Sequence, residues 1–492
     1  MSDDGDESVV PEVHRVEPVV RGHLRKISGP FRIVKTSCSA VASIAMRHVW
    51  TLVVLGLMMA LFRRLTGAGP LEARATLALG FLLLAAHVGG ALARRVGLPR
   101  ITGYLLTGFV VGPAWLGLVR AEEVDILRFI GDAAVALIAF AAGTELKIEM
   151  LRELRVALAK ISLAAILFPF AAVSVAILGL SPWFPLTINQ GFGDAVAVAL
   201  VLGTVAAASS PAVTMALIDE LDARGPFART LLSVTVVKDV AVVMLLTLGL
   251  AVVRPLVSEG ALHGGVAWAA LGRLLGSVAA GTVLGYLVAQ YLRVVHRDTP
   301  LFLVGLAFLT AEMGNLIGLE AMLVALAAGF YIENFSRVEG DRLVRALRRG
   351  SLPVYVVFFA LAGAGLHLDA LSDLWFWALL LIGLRAAGLW YGLRWAGRNS
   401  PVTHALAQHG WLGLISQAGM ALGLATVARR AFPEWGVSLE ALIVSMIAVH
   451  ELVGPVCFRR ALILAGEVKE ATDVPEPAGV ERDAVPLPGG GM

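Results

Sequence analysis

The feature that most constrains this chain is a long series of apolar runs separated by short polar loops. From about residue 75 onward there are about thirteen such runs of roughly 17 to 28 residues, and a helix of that length crosses the ~30 Å hydrocarbon core of a bilayer. The sequence therefore predicts an all-α polytopic membrane protein with about thirteen transmembrane helices. The runs are 75–92, 101–118, 126–144, 155–180, 194–217, 228–252, 266–293, 300–317, 318–334, 351–367, 373–395, 403–428 and 437–463.

Polar segments flank this region and set the expected domain boundaries. Residues 1–48 are predicted to form a polar N-terminal tail, and residues 49–74 hold a short apolar segment, "VWTLVVLGLMMALF", followed by a loop. That segment is either one additional N-terminal helix across the membrane or a surface helix. Residues 75–463 form the predicted transmembrane domain, and the Pro/Gly-rich residues 464–492 are predicted to be a disordered C-terminal tail.

Composition argues against several other classes of protein. Hydrophobic residues make up 58% of the 492 residues and charged residues only 16%, a balance that is not typical of a soluble domain. The net charge of +3 is spread over many loops, so we expect no nucleic-acid partner. Cys38 and Cys457 are too far apart in sequence for a typical metal motif, and we expect neither a metal site nor a cofactor. Enzyme activity is the weakest class, because the runs contain no HExxH motif or paired aspartates.

Lysine and arginine concentrate in alternate loops, as in the loops that follow the third and fifth runs with Lys147, Arg152, Arg224 and Arg229. By the positive-inside rule these loops and the C-terminus are cytoplasmic, and the chain is a multi-pass protein of the inner (plasma) membrane. Arg63 and Arg64 oppose this bias if residues 49–62 cross the membrane.

The chain also contains an internal repeat. Residues 140–154, "FAAGTELKIEMLREL", resemble residues 360–374, "ALAGAGLHLDALSDL", with Gly143 and Gly363 in register. Two further matches follow in the same order: "ASSPAVTMAL" with "GLISQAGMAL", and "VVKDVA" with "AVHELV". Matched runs are seven apart, an odd number, so the second half is inverted relative to the first. Inverted repeats are typical of secondary transporters, whose substrate site lies where the halves meet.

Two of the matched runs are interrupted by helix-breaking residues. In the fifth run Pro211 follows two serines and precedes Thr214; in the twelfth run the corresponding residues include Ser416, Gln417 and Gly419. Broken backbone within a membrane is tolerated where it lines a cavity or is satisfied by other protein groups. We therefore predict two broken helices that cross, although an ordinary proline kink remains an alternative for either run alone.

Ionisable residues lie inside several apolar runs, where a charge costs at least ~2.5 kcal/mol. Lys238 and Asp239 are adjacent, and adjacent side chains point about 100° apart on a helix, so each needs a different partner. We expect Asp239, in a cavity with the broken helices, to hold a proton or a small cation. Lys238 and Arg385 are expected to neutralise carboxylates, with Asp239, Asp132 or Glu451 as the partner of Arg385. A purely structural ion network is the alternative, above all for Asp132, Glu320 and Glu451, and His450 is expected to be a hydrogen-bonding helix residue.

Several of these segments together resemble one family. They are "LPRITGYLLTGFVVGP", "FIGDAAVALIAFAAGTEL", "SSPAVTMALIDEL", "VVKDVAVV", "LEAMLVALAAGFYIEN", "LPVYVVFFALAGAGLHLDAL", "SQAGMALGLA" and "HELVGP". Between about residues 75 and 463 the chain is similar to the monovalent cation:proton antiporter superfamily, in the Kef-like and NapA-like bacterial branch of the sodium/hydrogen exchanger family. The resemblance implies thirteen helices, with a dimerising panel and a six-helix core that moves like an elevator.

The same resemblance implies roles for individual residues. Asp239 corresponds to the ion-binding aspartate, Arg385 to a basic residue before the second broken helix, and Ser210, Pro211 and Thr214 to residues that line the crossing. The family usually has Asp, Asn or Gln before the aspartate, whereas this chain has Lys238.

The implied function is exchange of Na⁺ or K⁺ for H⁺ by a homodimer surrounded by membrane lipid. The alternative is the same fold with cation coupling lost, acting as a channel, a transporter of another solute or a sensor.

Overall fold

The structure, a computed structural model, describes residues 38–468 apart from 67–68, 258–264, 295–298, 337–339, 367–370, 398–403, 418 and 433. Most of the predicted tails, residues 1–37 and 469–492, lies outside the described residues. The described part is helical and contains no β-strand, which confirms the predicted fold class. Its helices are α1 (Cys38–Thr66), α2 (Leu71–Arg95), α3 (Arg100–Val111), α4 (Ala121–Thr144), α5 (Ile148–Glu153), α6 (Arg155–Leu180), α7 (Phe192–Ala207), α8 (Pro211–Leu221), α9 (Pro226–Val257), α10 (Gly265–Val294), α11 (Thr299–Ile317), α12 (Ala321–Phe335), α13 (Gly340–Ala364), α14 (Leu371–Ala396), α15 (His404–Gly413), α16 (Gly419–Ala431) and α17 (Gly436–Leu464).

Each predicted run falls on one helix, except the fifth and twelfth, which fall on the pairs α7–α8 and α15–α16. Among the described residues, nine helical segments are long and apolar enough to cross a membrane, counting α7 with α8 as one. Four shorter apolar segments lie in α3, α11, α12 and α13. The multi-pass architecture follows from these segments, whereas the exact number of crossings stays a prediction.

Helix α1 begins at Cys38, inside the segment predicted to be a polar tail. Its stretch Met46–Leu65 meets the length and hydropathy of a span, yet only 6% of that window is buried against the rest of the protein. Near its end, Arg63 donates to the Gly117 carbonyl at 2.6 Å and pairs with the buried Glu123 carboxylate at 3.3 Å. The ion pair with Glu123 therefore stabilises Arg63 locally, although this arginine opposes the charge bias of the loops.

The long helices pack as two groups within the compact unit that begins at Ala45. The first, here called the scaffold bundle, consists of α2, α3, α4 and α10–α13. The second, here called the crossing bundle, consists of α6–α9 and α14–α17 and contains both interrupted helices. The two bundles meet where α9 packs on α10, where α8 packs on α4, and where α17 packs on α3.

Glycines in the scaffold bundle show the inverted repeat as geometry. A Cβ added at Gly143 in α4 would overlap the Leu326 carbonyl oxygen in α12, and one at Gly363 in α13 would overlap the Leu105 carbonyl oxygen in α3. These backbones approach so closely that only glycine fits at the contact. Because Gly143 and Gly363 are the residues matched in the repeat, the α4–α12 and α13–α3 contacts are equivalent in the two halves.

Candidate ion-binding site

Two interrupted helices cross inside the crossing bundle. Between α7 and α8 the chain is extended at Ala208 and Ser210, and between α15 and α16 it is non-helical from Leu414 to Gln417. The Ser210 amide donates to the Ser416 carbonyl at 3.0 Å, which joins the two breaks directly. Thus the two broken segments predicted from the repeat do meet.

Local sequence explains how the second half-helix restarts at the first break. The Ser210 hydroxyl caps α8 by accepting from the Val213 amide at 3.3 Å, and Pro211 occupies the first helical position, where it needs no amide donor. Thr214 donates its hydroxyl to the Ser210 carbonyl at 3.0 Å. These residues are buried at the crossing, and the hydroxyls of Ser210 and Thr214 bond to its backbone groups.

Arg385, on α14, lies at the centre of the crossing and is 0% exposed. It donates to the carbonyls of Ala206 and Ala208 at 3.0 and 2.7 Å, and to those of Leu414 and Ile415 at 2.9 and 2.8 Å. These carbonyls lie at the C-terminal ends of α7 and α15, where helix dipoles are negative and carbonyls lack helical partners. The guanidinium therefore holds both helix ends together.

The acidic partner expected for Arg385 is not among the described residues that contact it, and backbone carbonyls take its place. Gln417 adds to the same arrangement, because its Nε2 donates to the Val205 carbonyl at 2.6 Å. The neighbouring Ser416 hydroxyl and the Gln417 Oε1 are buried and have no hydrogen-bond partner in the described part of the chain. Gly419 begins α16.

Lys238, on α9, reaches toward the crossing. Its Nζ donates to the Ser209 hydroxyl at 2.9 Å, and that hydroxyl donates to the Leu414 carbonyl at 3.0 Å. The lysine is 0% exposed, so this chain of hydrogen bonds ties α9 to both breaks. A neutral hydroxyl thus replaces the carboxylate partner that the sequence led us to expect.

Asp239, the next residue, faces a different direction. It is 3% exposed, and neither of its carboxylate oxygens has a hydrogen-bond partner among the described residues. It lines a small cavity, about 30 Å³, between α9 of the crossing bundle and α10 and α12 of the scaffold bundle. The residues of the two breaks are not among those that line this cavity, and a cavity shared by Asp239 and the broken helices stays a prediction.

An unpartnered buried carboxylate is costly unless it is protonated or binds a cation. About 30 Å³ is enough for a water molecule or for a small monovalent cation. The cavity beside Asp239 is therefore large enough for one such ligand.

The other intramembrane ionisable residues lie apart from this cavity, with one exception. Asp132 is exposed on α4, whereas His450 and Glu451 are buried on α17. Glu320, which precedes α12, is exposed and lines the Asp239 cavity.

Sequence reasoning missed a set of polar contacts that joins the two bundles at one end. Glu220, at the end of α8, accepts from the amides of Arg100 and Ile101 at the start of α3, at 2.6 and 3.3 Å. Its neighbour Asp219 accepts from the Tyr355 hydroxyl of α13 at 2.6 Å. The acids of "IDEL" after the first break were the available signal, since helix starts attract carboxylates.

Comparison with known proteins agrees with this architecture. The family model for the transmembrane region of sodium/hydrogen exchangers matches residues 80–459. The chain belongs to the sodium/hydrogen exchanger family. This confirms the family expected from the motifs of the sequence.

Two relatives in sequence and one solved structure are similar to this chain. The chain is 26% identical over 359 residues to the Na⁺/H⁺-K⁺ antiporter GerN of Bacillus cereus, covering 70% of this chain and 86% of GerN. It is 27% identical over 413 residues to the glutathione-regulated potassium-efflux system protein KefC of Salmonella arizonae, covering 78% of this chain and 61% of KefC. The fold is similar to that of the sodium proton antiporter MjNhaP1 of Methanocaldococcus jannaschii, with a TM-score of 0.58, 17% identity, and coverage of 81% of this chain and all (100%) of that one.

Proposed function

We propose that this protein exchanges a monovalent cation, Na⁺ or K⁺, for H⁺ by alternating access, with Asp239 as the group that binds each in turn. The observation that carries the proposal is the Asp239 carboxylate, which lines a cavity between the two bundles and is buried without a hydrogen-bond partner among the described residues. A carboxylate in this setting binds a proton or a cation, but not both at once. Family membership supports the same class of transport.

Alternating access requires the two bundles to move relative to each other. The contacts of Glu220 with α3 and of Asp219 with Tyr355 join the bundles at the end where α8 finishes. The Lys/Arg bias of the loops predicts that this end is cytoplasmic. We propose that these hydrogen bonds break and re-form in each cycle, while Arg385 and Lys238 keep the crossing intact as one moving body.

The position of Lys238 argues against the alternative in which cation coupling is lost. A built-in counter-ion for Asp239 would place its ammonium group in the Asp239 cavity, whereas Lys238 instead bonds to Ser209 at the crossing. We therefore favour exchange over a channel, a transporter of another solute or a sensor. A homodimer in the inner membrane, with a cytoplasmic C-terminus, remains part of the proposal.

The test is proton flux in proteoliposomes that contain the purified protein and an internal pH dye. Addition of Na⁺, K⁺ or Li⁺ outside acid-loaded liposomes should drive proton efflux with at least one of these ions and should not do so in protein-free liposomes. Proton flux that is independent of all three ions would refute exchange and favour the alternative.

A further inference from the structure

The Asp239 cavity contains a second carboxylate from the opposite bundle. Asp239 belongs to α9 in the crossing bundle, and Glu320 stands immediately before α12 in the scaffold bundle. Both line the same cavity, and the remaining lining is apolar: Val236, Val240, Val243, Leu274, Met322, Leu323 and Leu326. A cation that entered this space would therefore meet one acidic residue from each bundle.

Hydrogen bonds fix the backbone at Glu320 beside the cavity. Its amide donates to the hydroxyl of Ser277 on α10, at 2.9 Å, and Ser277 is 0% exposed. The preceding turn is closed by the Leu319 amide, which donates to the Gly314 carbonyl at 2.9 Å, with Gly318 at a φ of +75°. This turn holds Glu320 at the cavity.

Glu320 is the N-cap residue of α12, and its side chain makes no capping hydrogen bond to that helix. No ion pair of its carboxylate occurs within the described ranges either. The geometry leaves its charge available to a ligand.

We propose that Glu320 is a cation-recruiting residue, which holds a partly hydrated monovalent cation at the mouth of the cavity before Asp239 binds it. This inference rests on the proposed function, because it names a second residue of the same transport site. Glu320 is exposed while Asp239 is buried, so the two carboxylates define an outer and an inner position along one path.

The position of the two residues on different bundles makes the role one-sided. When the crossing bundle moves, Asp239 moves with it, and Glu320 stays with the scaffold bundle. Glu320 therefore acts only from the side of the membrane to which the turn before α12 belongs. The charge bias of the loops predicts that this is the extracytoplasmic side.

The experiment measures the cation concentration for half-maximal exchange separately from each side, in right-side-out and inside-out membrane vesicles, with Na⁺ and with K⁺. Glu320→Gln should raise this concentration about three- to fivefold from the side of the turn, as expected for loss of one partly exposed charge contact. The maximal rate and the half-maximal concentration from the other side should be unchanged. The increase should shrink at high ionic strength, where the charge is screened.

Glu312→Gln is the matched control. Glu312 is an exposed carboxylate on α11 of the same bundle and does not line the Asp239 cavity, so its removal changes the same net charge without touching the path. It should leave both half-maximal concentrations at their wild-type values. Glu320→Asp keeps the charge and should stay within about twofold of wild type.

Several results would overturn the proposal. One is an equal change from both sides, another is an equal change in Glu312→Gln, and a third is a Glu320→Asp protein as impaired as Glu320→Gln. If Asp239→Asn abolishes exchange and Glu320→Gln behaves as wild type, Glu320 has no role and the proposed function stands. If Asp239→Asn exchanges normally, the proposed function itself fails.

Discussion

The two inverted halves of this protein have the same order of helices and the same interrupted helix, but they carry different charged residues. In the first half, α9 carries Lys238 and Asp239; in the second, α17 carries His450 and Glu451 at the matched positions. Lys238 bonds to the crossing and Asp239 lines the cavity between the bundles. The Glu451 side chain makes no hydrogen bond or ion pair with the described residues, and it does not line that cavity.

The reverse asymmetry holds for the helices that precede each break. Arg385 lies in the middle of α14, whereas its counterpart α6 has charged residues only near its start, at Arg155 and Lys160. One half supplies the carboxylate of the proposed exchange site, and the other supplies the cation that holds both broken ends. The comparison teaches that the repeat specifies packing, and that residues unique to each half specify chemistry.

The largest effect that this comparison predicts is the difference between Asp239→Asn and Glu451→Gln. Among the described residues, Asp239 is the buried carboxylate that lines the cavity, and Asp239→Asn removes it while keeping its shape, so we expect exchange to fall to the level of protein-free liposomes. Glu451→Gln makes the same chemical change at the matched position and should retain exchange. Cation-driven proton flux measures both, at matched amounts of reconstituted protein.

Exchange at the wild-type rate in Asp239→Asn would refute the assignment. Loss of exchange in both variants would show that the two halves share the ion chemistry as well as the packing.

The second prediction concerns the arginine that only the second half carries. Arg385→Gln leaves at most two of the four bonds to carbonyls, and each buried carbonyl left unsatisfied costs about 1–3 kcal/mol. We expect the melting temperature of the variant in detergent to fall by a large amount. Tryptophan fluorescence during heating measures it. Arg394→Gln, on the exposed face of the same helix over the Trp390 ring, is the control and should change little. Equal melting temperatures for the two variants would rule out the structural role of Arg385.

Much of this architecture could be predicted because it depends on local patterns. Apolar run length specified the helices, and Pro211 after two serines specified the first break. The partners of the charged residues could not be predicted in the same way. The sequence predicts a carboxylate opposite Arg385, but an interrupted helix exposes carbonyls that have no signature in the residue types, and these accept the hydrogen bonds of the guanidinium.

The direction of Asp239 shows a second limit. Helical geometry separated its side chain from that of Lys238 by about 100°, which was sufficient to predict different surroundings. Helical geometry alone does not predict whether Lys238 or Asp239 faces the crossing, because that depends on how α9 is rotated against α7, α10 and α12. Glu320 lies far from Asp239 in sequence, so only the fold brings the two residues to one cavity.

The third prediction tests the part that the halves share. Gly143→Ala and Gly363→Ala each place a methyl group against a backbone carbonyl of the partner helix, and such overpacking typically costs about 1–3 kcal/mol. We expect similar decreases in melting temperature for the two variants. Gly131→Ala and Gly383→Ala, where the structure has open space, should have little effect. A loss confined to one of the first two variants would show that the repeat is not equivalent in packing.

The smallest expected effect is that of membrane voltage on the exchange rate. Because Asp239 is the buried carboxylate that lines the cavity, we expect one H⁺ to be exchanged for one monovalent cation with no net movement of charge. Lys238 would change this if it lost its proton in each cycle, because two H⁺ would then leave for one cation. The structure favours the one-for-one case. The Nζ of Lys238 donates to Ser209 at the crossing and lies outside the Asp239 cavity, so a cation that binds beside Asp239 does not displace the lysine ammonium group. With the voltage clamped by K⁺ and valinomycin and with Na⁺ as the test ion, the rate should stay within about twofold over 100 mV, whereas one net charge would couple to the voltage by about 2.3 kcal/mol. A steep voltage dependence would refute one-for-one exchange and would make Lys238 the second proton carrier to test, by repeating the measurement on Lys238→Gln.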